Sequence, residues 1–357
     1  MTHTDLLSAC ENASQVLADA VLKKQILAGS LFIEQSGTRF AANYGLAQDA
    51  HAAYLLGSIT KPIVISALMT LYDEACFALD DLLVRYLPEF SAGAFPEVTI
   101  RHLLTHTSGL PDQVPGNEQM RSENKPLKSF VEACRQLRFR FSPGSNYEYS
   151  SMGILLASAI AEKISSVSIH QWVADRVLAP LEMKDSALGI GSIPDASRMP
   201  VQTEFGAPEA GGGAADASGW DWNSPYWRAL GAPWGGAHAS ASDVGKFLRA
   251  MMSDQDDFLR GSTKRLMRTN QNPIGVESRG LGFDVDMRSS KVTCSANSFG
   301  HSGSTGTLAW AEPDTKRICV VLTTLPARAL PDTALNQESH PRHLASEWIA
   351  KASQPKP

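Results

Sequence analysis

The sequence predicts an α+β fold in which an all-helical segment is inserted into an α/β domain built from both chain ends. Three observations carry this. Strand-like runs occur near the N-terminus (29–33 and 38–44) and again after about residue 280. Helical periodicity dominates the middle of the chain. A long apolar segment beginning just after Ser58 sits where the two patterns meet. Strand runs segregated from helical runs indicate α+β rather than alternating α/β. The division assigns residues 1–57 and 225–357 to the α/β domain and 58–224 to the helical one, with a site at their junction.

The bulk properties exclude several function classes. With 357 residues the chain can build a large core and two subdomains. Net charge is −5 and no Lys/Arg run appears, so no nucleic-acid partner is expected. No apolar run approaches a membrane span, so no membrane partner is expected either. The five cysteines (Cys10, Cys76, Cys134, Cys294, Cys319) form no Cys-x-x-Cys and read as reduced thiols, mostly small buried hydrophobes. The N-terminus lacks a basic region followed by an apolar one, which points to the cytoplasm; a leader outside this sequence would point to the periplasm or to secretion. Nothing in the composition bears on oligomeric state.

Taken in order, residues 5–26 place apolar side chains at a 3.6 period and predict an amphipathic helix. The strand-like runs 29–33 and 38–44 flank Gln35-Ser-Gly-Thr38, a hairpin turn. The helix after Ser58 runs to about Glu74. A short helix over 79–87 stops at Pro88, and Thr99 is placed to cap the next one. Leu104-Thr-His-Thr-Ser-Gly-Leu-Pro111 reads as a turn, and the polar stretch up to Pro126 as loop. Helices are predicted over 127–138, 148–164 and 168–178. Gly211-Gly-Gly-Ala-Ala reads as a flexible loop, followed by a crowd of aromatics (Trp220, Trp222, Tyr226, Trp227, Trp234). A capped helix over 242–252, strands over 281–285, 292–294, 304–311 and 317–324, and a helix over 341–352 complete the chain.

Ser58-Ile-Thr-Lys61 puts a hydroxyl and an amine on one face of a helix start. A serine hydroxyl is a weak nucleophile until a base takes its proton. Lysine can be that base only when desolvation lowers its pKa, and the flanking Leu55, Leu56, Ile59 and Ile63 offer that desolvation. The helix start adds unpaired N–H groups that favour developing negative charge. Ser-x-x-Lys also occurs at Ser122–Lys125 and Ser353–Lys356, both in polar, loop-like surroundings. Only Ser58 opens an apolar helix behind a glycine. Pro62 disfavours helical backbone at Lys61 and must therefore lie within the first turn.

Two later stretches offer the remaining chemistry. Tyr149, after a Pro-Gly turn and at the start of an apolar helix, is a candidate base whose phenol a nearby lysine cation would make more acidic; the bland reading is a core tyrosine bonded to backbone. Phe299-Gly-His-Ser-Gly-Ser-Thr-Gly306 gives a small-residue strand edge that a substrate carbonyl can approach, with His301 as a titratable donor. The bland reading there is a structural histidine. His102-Leu-Leu-Thr-His106 has zinc-helix spacing but lacks the glutamate, Gly300-His-Ser-Gly-Ser304 lacks the last glycine of a nucleophile elbow, and Gly211-Gly-Gly has no phosphate-loop lysine. No metal or other cofactor is expected.

The order Ser58-x-x-Lys61, Leu104-Thr-His-Thr-Ser-Gly-Leu-Pro111, Tyr149-Ser-Ser151, Trp234-Gly-Gly236, His301-Ser-Gly303 resembles the serine β-lactamase-like family. That family includes class C β-lactamases, D-alanyl-D-alanine carboxypeptidases, D-aminopeptidases and family VIII carboxylesterases. The resemblance spans residues 29 to 324 and implies a β-lactamase/transpeptidase-like fold: an antiparallel sheet flanked by helices, a helical domain, and the active site between them. It implies that Ser58 forms an acyl-enzyme, Lys61 tunes and shuttles its proton, and Tyr149 is the base. It implies an oxyanion hole from the backbone N–H groups of Ser58 and Ser304, and substrate contacts at His301, Gly303, Ser151 and Trp234. Two departures stand out. Ser151 replaces the asparagine of Tyr-x-Asn, and His301-Ser-Gly303 replaces Lys-Thr-Gly. Both favour a carboxylesterase acting on small esters over a β-lactamase or D-amino-acid peptidase. A binding or sensor protein that is acylated without turnover is the alternative from another class.

Overall fold

The computed structural model describes residues 3–207, 210–212, 214, 216–290, 292–327 and 339–352. Helix α1 (His3–Leu22) leads into a hairpin of β1 (Ala28–Gln35) and β2 (Thr38–Gly45). Its turn is the two residues Ser36 and Gly37, both at positive φ. Strand β3 (Ala53–Leu55), one 3₁₀ turn (Gly57–Ile59) and α2 (Thr60–Asp73) follow. The helical region continues through α3 (Leu83–Tyr86), α4 (Ile100–Leu104), α5 (Asn117–Ser122), α6 (Leu127–Cys134), α7 (Ser151–Ser165) and α8 (Ile169–Val173). Then come β4 (Ala187–Leu188), α9 (Pro225–Leu230), β5 (Ala237–Ser240), α10 (Ala241–Met252) and α11 (Gly261–Met267). The chain returns to the sheet with β6 (Asp284–Val285), β7 (Phe299–Gly303), β8 (Thr307–Glu312) and β9 (Arg317–Thr323), and α12 (Pro341–Lys351) packs beside α1.

The main sheet is six-stranded and antiparallel, in the order β2-β1-β9-β8-β7-β6. Strands β1 and β9, from opposite ends of the chain, are neighbours, with Phe32 opposite Val320. Both are buried on both faces, which explains their continuous apolar runs. One face packs on α1 and α12 through Leu17, Leu31, Trp310, Val321 and Ile349. The other faces the larger core, which includes α2, α7 and α10. No single helix among the described residues is long and apolar enough to cross a membrane.

Several expectations need correction. The stretch 79–87 is helical only over Leu83–Tyr86. The polar segment before Pro126 contains helix α5, so Ser122 closes a helix instead of lying in loop. The 168–178 helix changes from α to π winding at Ala174. Residues 292–294 form no strand; Thr293 instead donates its N–H and hydroxyl to the Glu347 carboxylate. Ser304 belongs to the turn before β8, while Phe299–Gly303 is itself a strand. Strands also occur mid-chain, since β3, β5 and β4 form a second, three-stranded sheet. The Ser353–Lys356 motif and parts of the 208–215 stretch lie outside the described residues.

Candidate active site

Ser58 sits in the 3₁₀ turn that joins β3 to α2. Gly57 carries a left-handed φ of 56°, and a Cβ there would lie 3.1 Å from Ser304 N and 3.0 Å from Thr305 Oγ1. Only glycine fits a left-handed turn pressed against the β7–β8 connection. That connection is tied to the strand before Ser58. Thr305 Oγ1 donates to Leu55 O (2.6 Å) and Thr307 Oγ1 donates to Leu56 O (2.7 Å). The first twelve residues of α2, Thr60 to Leu71, are buried, as a helix apolar on all sides must be. Pro62 lies in its first turn, where no intrahelical partner for its nitrogen is missing.

Lys61 is 1% exposed. Its Nζ donates to Ser58 Oγ at 3.0 Å and to Trp234 O at 2.7 Å. Burial drives its pKa down to about 7, and Arg279 adds to the effect; the Asp112 carboxylate opposes it. Near neutral pH the amine is therefore in large part uncharged and able to accept a proton.

Tyr149 precedes α7, whose N-cap is Ser150. Its phenol lies beside the Ser58 hydroxyl, both residues lining the same cavity. Lys61 Nζ stands 4.7 Å from its ring centroid. The expected acidification of the phenol is reversed. Burial pushes its pKa above the ordinary value, and the Arg279 charge and the nearby Ser58 hydroxyl do not offset that. Tyr149 is thus a neutral hydroxyl here.

Ser304 lines the cavity, with Thr305 beside it. Gly303 does not; a Cβ at that position would meet Leu56 O at 2.1 Å, so its role is close packing of β7 on the Ser58 strand. His301 is 4% exposed and does not line the cavity either. Its Nδ1 donates to Ser302 O (2.8 Å), and its Nε2 accepts from Arg279 Nη2 (2.7 Å). Arg279 also pairs with Asp284. Burial, then Arg279 and Lys61, hold the imidazole pKa well below its usual value. The expected titratable donor on the strand edge is a neutral ring one layer back, behind Tyr149, with ring centroids 6.2 Å apart.

The cavity measures about 150 Å³ and gathers Ser58, Lys61, Tyr149, Ser151, Trp234 and Ser304. Trp234 contributes its carbonyl to Lys61 and its ring to the wall, beside Trp222 and Trp227. Tyr226 does not line the cavity; its hydroxyl donates to Lys125 O. Ser151 is held through its backbone, N–H to Asp112 Oδ1 at 2.8 Å. Asp112, Gln113 and Arg121 also line the cavity, and sequence reasoning missed all three. Arg121 stacks on Trp227, its guanidinium carbon 4.1 Å from the ring centre. A larger groove of about 630 Å³ beside α6 and α7 carries none of the candidate residues.

The rejected motifs resolve separately. His102 serves as N3 of the Thr99 capping box, its Nδ1 accepting from Thr99 N–H. His106 packs against Tyr149. No group of three metal-ligating side chains occurs among the described residues. Four cysteines are buried and Cys76 is exposed, all as free thiols.

Comparison with known proteins adds an independent line. A sequence profile described as Beta-lactamase matches residues 13–340. Esterase EstB of Burkholderia gladioli is 29% identical over 285 residues, spanning 72% of this chain and 71% of that protein. Protein flp of Staphylococcus aureus (strain MW2) is 27% identical over 190 residues, 48% of this chain and 38% of that protein. Among solved structures, a class C beta-lactamase superposes with TM-score 0.74 at 17% identity, covering 100% of this chain and 99% of that one. D-amino acid amidase from Ochrobactrum anthropi SV3, complexed with D-phenylalanine, gives TM-score 0.74 at 18% identity, covering 97% and 99%. At these identities the superpositions speak to fold alone.

Proposed function

This chain belongs to the beta-lactamase family of serine hydrolases, and from that premise we propose that it is a carboxylesterase working through an acyl-enzyme on Ser58. Its fold is β-lactamase/transpeptidase-like. In the proposed reaction Ser58 Oγ attacks the ester carbonyl while Lys61 Nζ takes its proton across 3.0 Å. The carbonyl oxygen becomes an oxyanion held by the backbone N–H groups of Ser58 and Ser304. The bond to the leaving alcohol then breaks. The proton passes from Lys61 through the Tyr149 hydroxyl to the departing alkoxide. Water hydrolyses the acyl-Ser58 ester by the reverse relay, releasing the acid and restoring the serine.

The observation that favours esters is the absence of a cation on the β7 edge of the cavity. His301 is neutral and turned onto Arg279, so no fixed positive charge on that strand waits for a substrate carboxylate. Asp112 adds a carboxylate to the cavity wall. Arg121 is the cation on the opposite, helical side, stacked on Trp227. With no cation on the strand edge, substrates without a carboxylate beside the scissile bond fit the site better than β-lactams do. Asp112 also favours a second reading, hydrolysis of D-amino-acid amides, whose ammonium would pair with it.

Intact-protein mass spectrometry after exposure to a short-chain p-nitrophenyl ester, a β-lactam and a fluorophosphonate tests the assignment. The expected result is a stable phosphonyl adduct, a short-lived acyl adduct from the ester, and none of these in Ser58→Ala. Ester turnover that survives Ser58→Ala would sink the nucleophile. A β-lactam or D-amino-acid p-nitroanilide turned over faster than the ester would reverse the ranking. An acyl adduct that persists without product would indicate a sensor.

A further inference from the structure

We propose that His106 is the positioning residue for Tyr149, clamping the backbone on both sides of it so that the phenol stays beside Ser58; the inference rests on the role given above to Tyr149. Three contacts carry it. Glu148 N–H donates to His106 O at 3.0 Å. Ser150 N–H donates to His106 Nδ1 at 3.2 Å. Between them, the Tyr149 ring lies 4.5 Å from the imidazole, centroid to centroid, tilted by 39°. One residue thus anchors the peptide before the phenol and the peptide after it, and supports the phenol's face.

The surrounding features agree. His106 is fully buried, in a left-handed conformation with φ 61°. Histidine is among the few non-glycine residues that adopt this region with any frequency. An accepting Nδ1 places the ring proton on Nε2. Among the described residues Nε2 has no hydrogen-bond partner. A buried donor left unpaired is unfavourable, so the ring's own polar satisfaction does not account for its placement. Its service to the 148–150 backbone does. The clamp needs the neutral imidazole, and burial together with the Arg279 charge keeps it so.

The experiment is a double-mutant cycle on ester hydrolysis, with thermal melts of every protein. His106→Gly keeps the left-handed backbone and removes the acceptor. His106→Asn keeps both, since its Oδ1 reaches the position of Nδ1. Tyr149→Phe and the double variant His106→Gly/Tyr149→Phe complete the set. We expect His106→Gly to lower kcat on the order of tenfold to a hundredfold, as a misplaced catalytic group does, with KM within about threefold. His106→Asn should recover most of that loss. In the Tyr149→Phe background His106→Gly should cost less than about threefold, because the group it positions is gone. The proposal is overturned if the two losses multiply, if His106→Gly stays within about twofold of the parent, or if His106→Asn is no better than His106→Gly at equal melting temperature. Should His106→Gly fail to fold, His106→Asn decides alone: kcat within about fivefold of the parent supports the clamp, and a larger loss at unchanged melting temperature overturns it. Full activity in Tyr149→Phe would sink the role of Tyr149 itself, an outcome distinct from failure of the clamp.

Discussion

The two walls of the cleft treat their titratable groups in opposite ways. On the helical wall, Lys61 is 1% exposed and its amine is turned onto Ser58 Oγ. On the sheet wall, His301 is 4% exposed, yet its two nitrogens are spent on Arg279 and the Ser302 carbonyl. Burial depresses both pKa values. Desolvation therefore does not distinguish a reactive group from a structural one. The partner that the nitrogen touches does. Lys61 keeps contact with a hydroxyl that can react, whereas His301 braces the arginine that lies behind Tyr149.

That contrast sets a graded series of experiments. The largest effect belongs to Ser58→Ala, which should lower ester turnover by about 10⁴-fold or more in steady-state assays. Tyr149→Phe keeps the ring and removes the hydroxyl. It should lower kcat on the order of a hundredfold to a thousandfold with little change in KM. Gly303→Ala probes the sheet wall through packing: its Cβ would meet Leu56 O at 2.1 Å, and calorimetry should show a loss of about 1–3 kcal/mol. The pH profile separates the walls next. If Lys61 must be neutral to act, kcat/KM should rise with pH through about 7, where the buried amine loses its proton, and then level off. Asp112 raises the Lys61 pKa, so Asp112→Asn should move that midpoint to lower pH. The smallest effect is expected from His301→Gln, which should leave KM for an ester within about threefold while costing about 1 kcal/mol through the lost Arg279 contact. A tenfold rise in KM would return His301 to the binding surface and erase the contrast.

The helical wall was the more legible in the sequence, for a physical reason. A buried helix start announces itself through an apolar run after a glycine, and a cap through Thr99. The terminal strands were legible because both their faces are apolar. The sheet wall carries weaker signals. Strand β7 consists of Phe299-Gly-His-Ser-Gly303, with little side chain to alternate. The second sheet has strands of two to four residues, too short to show a period. Asp112 stands in a stretch whose local chemistry reads as loop, and His106 in one that reads as a turn. Their importance comes from bonds to Ser151 and Ser150, about 40 positions away, and no local pattern encodes such a meeting.

The threonine ties beneath Ser58 have a consequence for how the protein comes to life. Thr305 and Thr307 bind carbonyls 250 and 251 positions earlier in the chain. A ribosome must therefore synthesise the chain past Thr307 before the turn carrying Ser58 can be strapped down. Until then the emerging polypeptide holds the helical wall alone, without Ser304 beside the nucleophile. Closure across so long a loop is entropically costly and slow relative to local helix formation. Hydrolytic activity should therefore appear only at the end of folding, after helical signal has saturated, which makes it a timer for the last step of assembly.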